Sequence, residues 1–140
     1  MRRQRLSQHT PWASIDAYAA NHPDLFAGAY VGGDGNPAIM TLWTRDAERH
    51  AKALSDRAGH AIGGRSAQWS KAELDSLRER LSTDMHQLRA DGIRVCLVAD
   101  NVINNCVDVG VTGLTAEARD MILARYGHAV NVFEEEIIAA

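Results

Sequence analysis

The chain of 140 residues is long enough to bury a hydrophobic core without a disulfide or a structural metal. Its 46% hydrophobic and 24% charged residues exclude a disordered tail or a fibre. The net charge of -3, with scattered basic residues, argues against a nucleic-acid partner, and no run approaches the roughly 18 apolar residues of a membrane helix. We therefore predict a soluble globular domain with neither a nucleic-acid nor a membrane partner.

Helix caps and turn residues divide the first half of the chain into five elements. Thr10 caps a helix whose first position is Pro11, where the missing N–H costs nothing. Asp46 begins a later helix, which Gly59 ends. The predicted elements are a helix at 11–20, strands at 26–31 and 38–43 joined by a glycine-rich turn, a helix at 46–58 and a strand at 60–69.

A long amphipathic helix follows. The run from Ser70 to Glu73 is a capping box, in which the two terminal side chains satisfy each other's backbone donors, and Gly92 ends the helix. Apolar residues repeat along it at spacings of three and four, which predicts a stripe packed on a sheet. The stripe consists of Leu74, Leu77, Leu81, Met85 and Leu88.

The second half of the chain repeats the order of the first. Its predicted elements are strands at 93–98 and 106–111 around a polar turn, a helix from Thr115 to Tyr126 and a strand at 129–135. The run from Arg57 to Ile62 also echoes the run from Arg125 to Val130. Two related ββαβ units joined by a long helix are the simplest account, since neither alone has enough apolar surface to stand.

The sequence therefore predicts an α+β fold with antiparallel sheets on which the helices pack. We expect a single domain over residues 1–140. Within it, the predicted parts are an N-terminal helix in 1–25, a first unit at 26–69, a linking helix at 70–92 and a second unit at 93–136.

The two cysteines fall on the paired strands of the second hairpin. A turn centred near Val102 and Ile103 sets Cys96 opposite about Val109, and sets Cys106 opposite about Ala99. That register holds the two thiols too far apart for a disulfide. We expect two free, half-buried thiols.

No motif predicts catalytic, cofactor-binding or metal-binding residues. The six histidines show no metal-ligand spacing, and no nucleophile motif occurs. The aromatic residues that are candidates for a contact patch fit core packing better. They are Trp12, Tyr30, Trp43 and Trp69.

Segments of both halves resemble a known family. The runs Gly92–Val95, Asn101–Asn105 and Val107–Val111 resemble the α+β pro-region units of secreted bacterial serine proteases of the α-lytic and streptogrisin type, and related stand-alone extracellular domains of unassigned role. His22–Gly28 is similar to the start of the first unit of that family, and Leu114–Arg119 to the beginning of the last helix.

The resemblance implies a folding chaperone or inhibitor whose C-terminal strand occupies the cleft of a protease. The binding residues that it implies are Ile137, Ile138, Ala139 and Ala140. We therefore expect a non-catalytic protein-binding module with a partner such as a serine protease, bound through a sheet edge or the C-terminal tail.

Two alternatives to a binding module stay open. One is a small enzyme or ligand-binding protein with a pocket between the halves, and the other is a homo-oligomeric accessory protein. No signal peptide is visible, so the protein is expected to be secreted if a leader was removed and cytoplasmic otherwise.

Overall fold

The computed structural model describes residues 11–32 and 37–136, which form four helices and six strands. In chain order these are α1 (Pro11–Ala20), β1 (Phe26–Val31), β2 (Ile39–Trp43), α2 (Ala47–Ala58), β3 (Ile62–Ser66), α3 (Lys71–Ala90), β4 (Arg94–Asn101), β5 (Cys106–Thr112), α4 (Ala116–Tyr126) and β6 (Val130–Glu134). The chain divides into two compact units, Met1–Ala72 and Glu73–Ala140. None of the helices in the described ranges is long and apolar enough to span a membrane.

Each unit holds one three-stranded sheet with its strands in sequence order. The first two strands form an antiparallel hairpin, and the third pairs parallel to the second. The third strand is parallel because a helix carries the chain back across the sheet before it. The predicted α+β class with two similar halves is confirmed, and each sheet combines one antiparallel with one parallel pair.

The likeness of the two units extends to an irregularity of the backbone. In β1 the pairing with β2 shifts by one residue at Ala27, and in β4 the pairing with β5 shifts by one residue at Cys96. A residue inserted in this way is a β-bulge, which bends the strand and increases its twist. The same bulge at the same place in both hairpins supports the duplication that the sequence predicts.

The position of the turn and the bulge together correct the predicted register of the cysteines. Cys106 pairs with Asn101, and Cys96 is the bulge residue itself. The turn between the strands, residues 102–105, is centred one residue later than predicted and includes Asn105 at a φ of 53°. Both thiols are free as predicted, but Cys96 is exposed rather than half-buried.

The core of the first unit lies between its sheet and the helices α1 and α2. Its buried residues are Ile15, Tyr18, Trp43, Leu54 and Ile62. A Cβ atom at Gly64 would collide with the backbone carbonyl of Ala47 in α2. Glycine at this position of β3 therefore lets the helix pack directly on the strand.

Candidate functional site

The helix α3 has three faces with different surroundings. Its predicted stripe is buried at Leu74, Leu77, Leu81 and Leu88, with Leu81 and Leu88 at 0% exposure. The prediction is wrong for Met85, whose side chain is 37% exposed. Successive helical residues are 100° apart, so Met85 lies about 40° from Leu81 and falls at the border of the buried stripe.

One border of the stripe faces α4. The Tyr126 hydroxyl donates to the Asp84 carboxylate at 2.7 Å. One helical turn earlier, Arg80 donates to the backbone carbonyl of Arg125 at 3.3 Å. Burial and the neighbouring Asp84 raise the pKa of Tyr126, which keeps its hydroxyl protonated and able to donate. These contacts fix α3 beside α4 in the second unit.

The other border of the stripe faces β4. Arg78 forms an ion pair with Asp100 of β4 at 3.0 Å. Towards the C-terminal end of α3, the same border forms an open groove of about 400 Å³ with β4. The residues that line it are Ser82, Thr83, Met85, His86, Arg89 and Val95. We refer to this feature as the α3/β4 groove.

β4 itself is an edge strand, because the strand order of its sheet begins there. It is the longest strand that the structure describes, with eight residues. Its charged residues Arg94 and Asp100 stand near its two ends, and the five residues from Val95 to Ala99 are uncharged. Leu97 in the middle is 38% exposed. The β4 edge is therefore long and apolar, with the bulge at Cys96 as its main irregularity.

A polar network lies on β5 around the Asp108 carboxylate. Asn101 donates to both of its oxygens at 3.2 Å, and Asn131 donates to one at 3.1 Å. The Cys106 thiol lies 3.8 Å from the same carboxylate. Burial, and then Asp108, raise the pKa of Cys106, so this thiol is not an activated nucleophile. The network links β4, β5 and β6, because Asn101, Asp108 and Asn131 lie on these three strands and their side chains are hydrogen-bonded.

The first unit contains a cluster of aromatic and histidine rings that the sequence did not reveal. Tyr18 of α1 forms a hydrogen bond with Nδ1 of His50 in α2 at 2.8 Å. The His50 ring stacks on Trp43 with centroids 4.5 Å apart, and His22 lies 5.0 Å away. Nδ1 of His22 forms a hydrogen bond with the backbone carbonyl of Tyr18 at 2.9 Å.

His50 is buried, with 3% of its surface exposed, and its Nε2 has no hydrogen-bond partner among the described residues. Burial is the main cause that lowers its pKa, and His22, Arg49 and Arg45 add to the effect against an opposing contribution from Asp46. The neutral imidazole is thus part of the core. We therefore expect this cluster to contribute to the stability of the first unit.

The predicted binding residues Ile137, Ile138, Ala139 and Ala140 lie outside the described residues. The described ranges contain no group of three or more His, Cys, Asp or Glu side chains placed to hold a metal ion. Among the aromatic candidates, Trp43 is fully buried and Trp12 is 41% exposed. Tyr30 and Trp69 are half-buried.

No protein-family model matches the chain. No curated protein matches it either. The function proposed below rests on the geometry of the α3/β4 groove and on the resemblance described for the sequence.

Proposed function

We propose that this chain is a non-catalytic protein-binding module, which takes up an extended segment of a partner as an additional strand on β4. The observation that carries the proposal is a long edge strand with an uncharged centre beside an open groove. In strand addition, main-chain hydrogen bonds supply affinity, and pockets beside the edge select alternate side chains. The β4 edge offers the main-chain hydrogen bonds, and the α3/β4 groove offers the pockets for side chains.

The exposed edge supports this proposal on energetic grounds. An edge strand presents N–H and C=O groups that pair readily with another chain, and proteins commonly protect such edges with central charges, proline or a short strand. Between Val95 and Ala99, β4 has no charge and no proline, and the β-bulge at Cys96 is its only such protection. The exposed Leu97 adds apolar surface that a partner strand covers.

The groove wall matches the length of a short strand. The residues of α3 that border it or pair with β4 run from Arg78 to Arg89. Eleven helical steps of 1.5 Å span about 16 Å, which is the length of about five residues of a β-strand. Side chains of a strand alternate between its two faces, so two or three of these five residues would point towards α3.

The partner class that the sequence resemblance suggests is a secreted serine protease. In the pro-regions that this chain resembles, the attached protease is the protein that is chaperoned and inhibited. Inhibition of an elastase-like or α-lytic-type protease by micromolar protein would support this partner.

The proposal is tested by selecting binders from a library of random linear peptides displayed on phage, with the full chain immobilised. We expect enriched peptides that bind with micromolar affinity, and we expect Met85→Glu to weaken their binding at least tenfold by placing a charge in the apolar part of the groove. The matched control is Met121→Glu in α4, since Met121 is also 37% exposed and lies outside the groove. Failure to enrich any peptide, or equal loss of binding in both variants, would refute the proposal.

A further inference from the structure

The charges of the α3/β4 groove indicate which peptides it accepts. We infer that the bound segment carries an acidic side chain two residues from an apolar one, and that Arg89 binds the carboxylate. This inference rests on the proposed function, because it specifies the partner of the same groove. It follows from which of the neighbouring cations are already paired.

Two other arginines of the second unit, Arg78 on α3 and Arg125 on α4, already have partners. Arg78 binds Asp100 at 3.0 Å and approaches Asp75 at 3.9 Å. Arg125 binds Asp91 at 3.3 Å. Their charges are therefore largely compensated within the second unit.

Arg89 differs from both. It lines the groove and has no ion pair within the described residues. The carboxylate nearest in sequence is Asp91, which accepts hydrogen bonds from Arg125 and from Gln87 at 3.1 Å. The helix dipole favours a guanidinium in the last turn of a helix, but the five N–H donors of Arg89 have no carboxylate partner in the part of the chain that the structure describes.

The other polar groups of the groove also suit an anion. The lining residues include the hydroxyls of Ser82 and Thr83 and the imidazole of His86, and none of them is acidic. Hydroxyl and imidazole N–H groups donate hydrogen bonds to a carboxylate. A lysine or arginine side chain of a peptide would meet only like charge at Arg89.

The apolar half of the motif follows from Met85 and Val95, which form the apolar part of the groove. Met85 and Arg89 are four residues apart on α3, a separation of about 6 Å along the helix axis. Side chains at positions i and i+2 of a strand are about 6.6 Å apart. An apolar residue on Met85 and an acidic residue on Arg89 are therefore two positions apart in the bound strand.

The test uses the most enriched peptide of the library, acetylated and amidated so that no terminal carboxylate is present. We expect a glutamate or aspartate two positions from an apolar residue. Replacing that acid by its amide should weaken binding about tenfold, as should Arg89→Gln, since a charge-assisted hydrogen bond is lost in each case. The two changes together should weaken binding no more than either alone, because they remove the same contact.

Arg45→Gln is the matched control, since Arg45 is exposed and lies in the first unit, and its replacement removes the same charge. It should leave binding unchanged, and Arg89→Lys should restore part of the affinity. Enriched peptides without an acidic preference, or additive losses in the two changes, would overturn the inference while leaving strand addition intact. A library that yields no binder would overturn both.

Discussion

Leu81→Ala tests the packing of α3 in the second unit, where it contacts α4 and β4. The Leu81 side chain is 0% exposed, so the substitution removes three buried carbons. At about 0.8 kcal/mol for each, the transfer contribution is about 2.4 kcal/mol. The cavity that remains raises the expected loss to between about 2.7 and 5 kcal/mol.

Met85→Ala is the natural comparison, because the sequence predicts the same stripe for both residues. Met85 is 37% exposed, so we expect a loss of about 1 kcal/mol or less. Urea denaturation followed by far-ultraviolet circular dichroism gives the free energy of unfolding of both variants. All three tryptophans lie in the first unit, so their fluorescence reports separately on that unit.

The expected result is a large fall in the dichroism midpoint for Leu81→Ala and a small one for Met85→Ala. A tryptophan midpoint that stays at the parent value would show that the first unit unfolds on its own. Equal midpoints for the two variants would contradict the packing of α3 described above, whether both are stable or both are strongly destabilised.

Three further predictions concern the rest of the chain. Burial lowers the pKa of His50 in the folded chain from its ordinary value of 6.5. As the pH falls below 6.5, the unfolded chain therefore takes up a proton at His50 that the folded chain does not. The free energy of unfolding should therefore fall as the pH drops from 7 to 5, and His50→Leu should flatten this fall by up to about 1.4 kcal/mol per pH unit; identical slopes would contradict it. Cys96 should react with a thiol reagent in the native protein faster than Cys106, which mass spectrometry of the labelled peptides measures. If the tail acts as the resemblance implies, deletion of residues 137–140 should abolish any inhibition of an α-lytic-type protease, and equal inhibition by both proteins would exclude the tail.

Local chemistry allowed much of the fold to be predicted from the sequence. The helix predicted to begin at Thr115 does so, with the threonine side chain accepting from the Ala118 amide at 3.1 Å. Asp46 also precedes a helix as predicted, but its carboxylate binds Arg49 at 2.9 Å instead of capping the backbone. A cap residue thus predicts where a helix begins more securely than which hydrogen bond its side chain makes.

The candidate site was less predictable. Hydrophobic periodicity placed Met85 in the buried stripe, because spacing alone does not show how wide that stripe is. The bulge at Cys96 shifts the register of β4, and no residue type in that strand predicts a bulge. The contact of Tyr18 with His50 joins residues 32 positions apart, which local patterns do not detect.

Strand addition at β4 is tested most directly by amide hydrogen exchange of the full chain with and without the selected peptide. A partner strand satisfies the outward main-chain groups of the edge, so the outward-pointing amides of Arg94–Asn101, about every second one, should exchange more slowly when the peptide is bound. The equivalent edge strand β1, Phe26–Val31, is the internal control and should exchange at an unchanged rate. Slower exchange confined to β4 is the predicted result, whereas unchanged exchange in β4 at saturating peptide would contradict the proposed function.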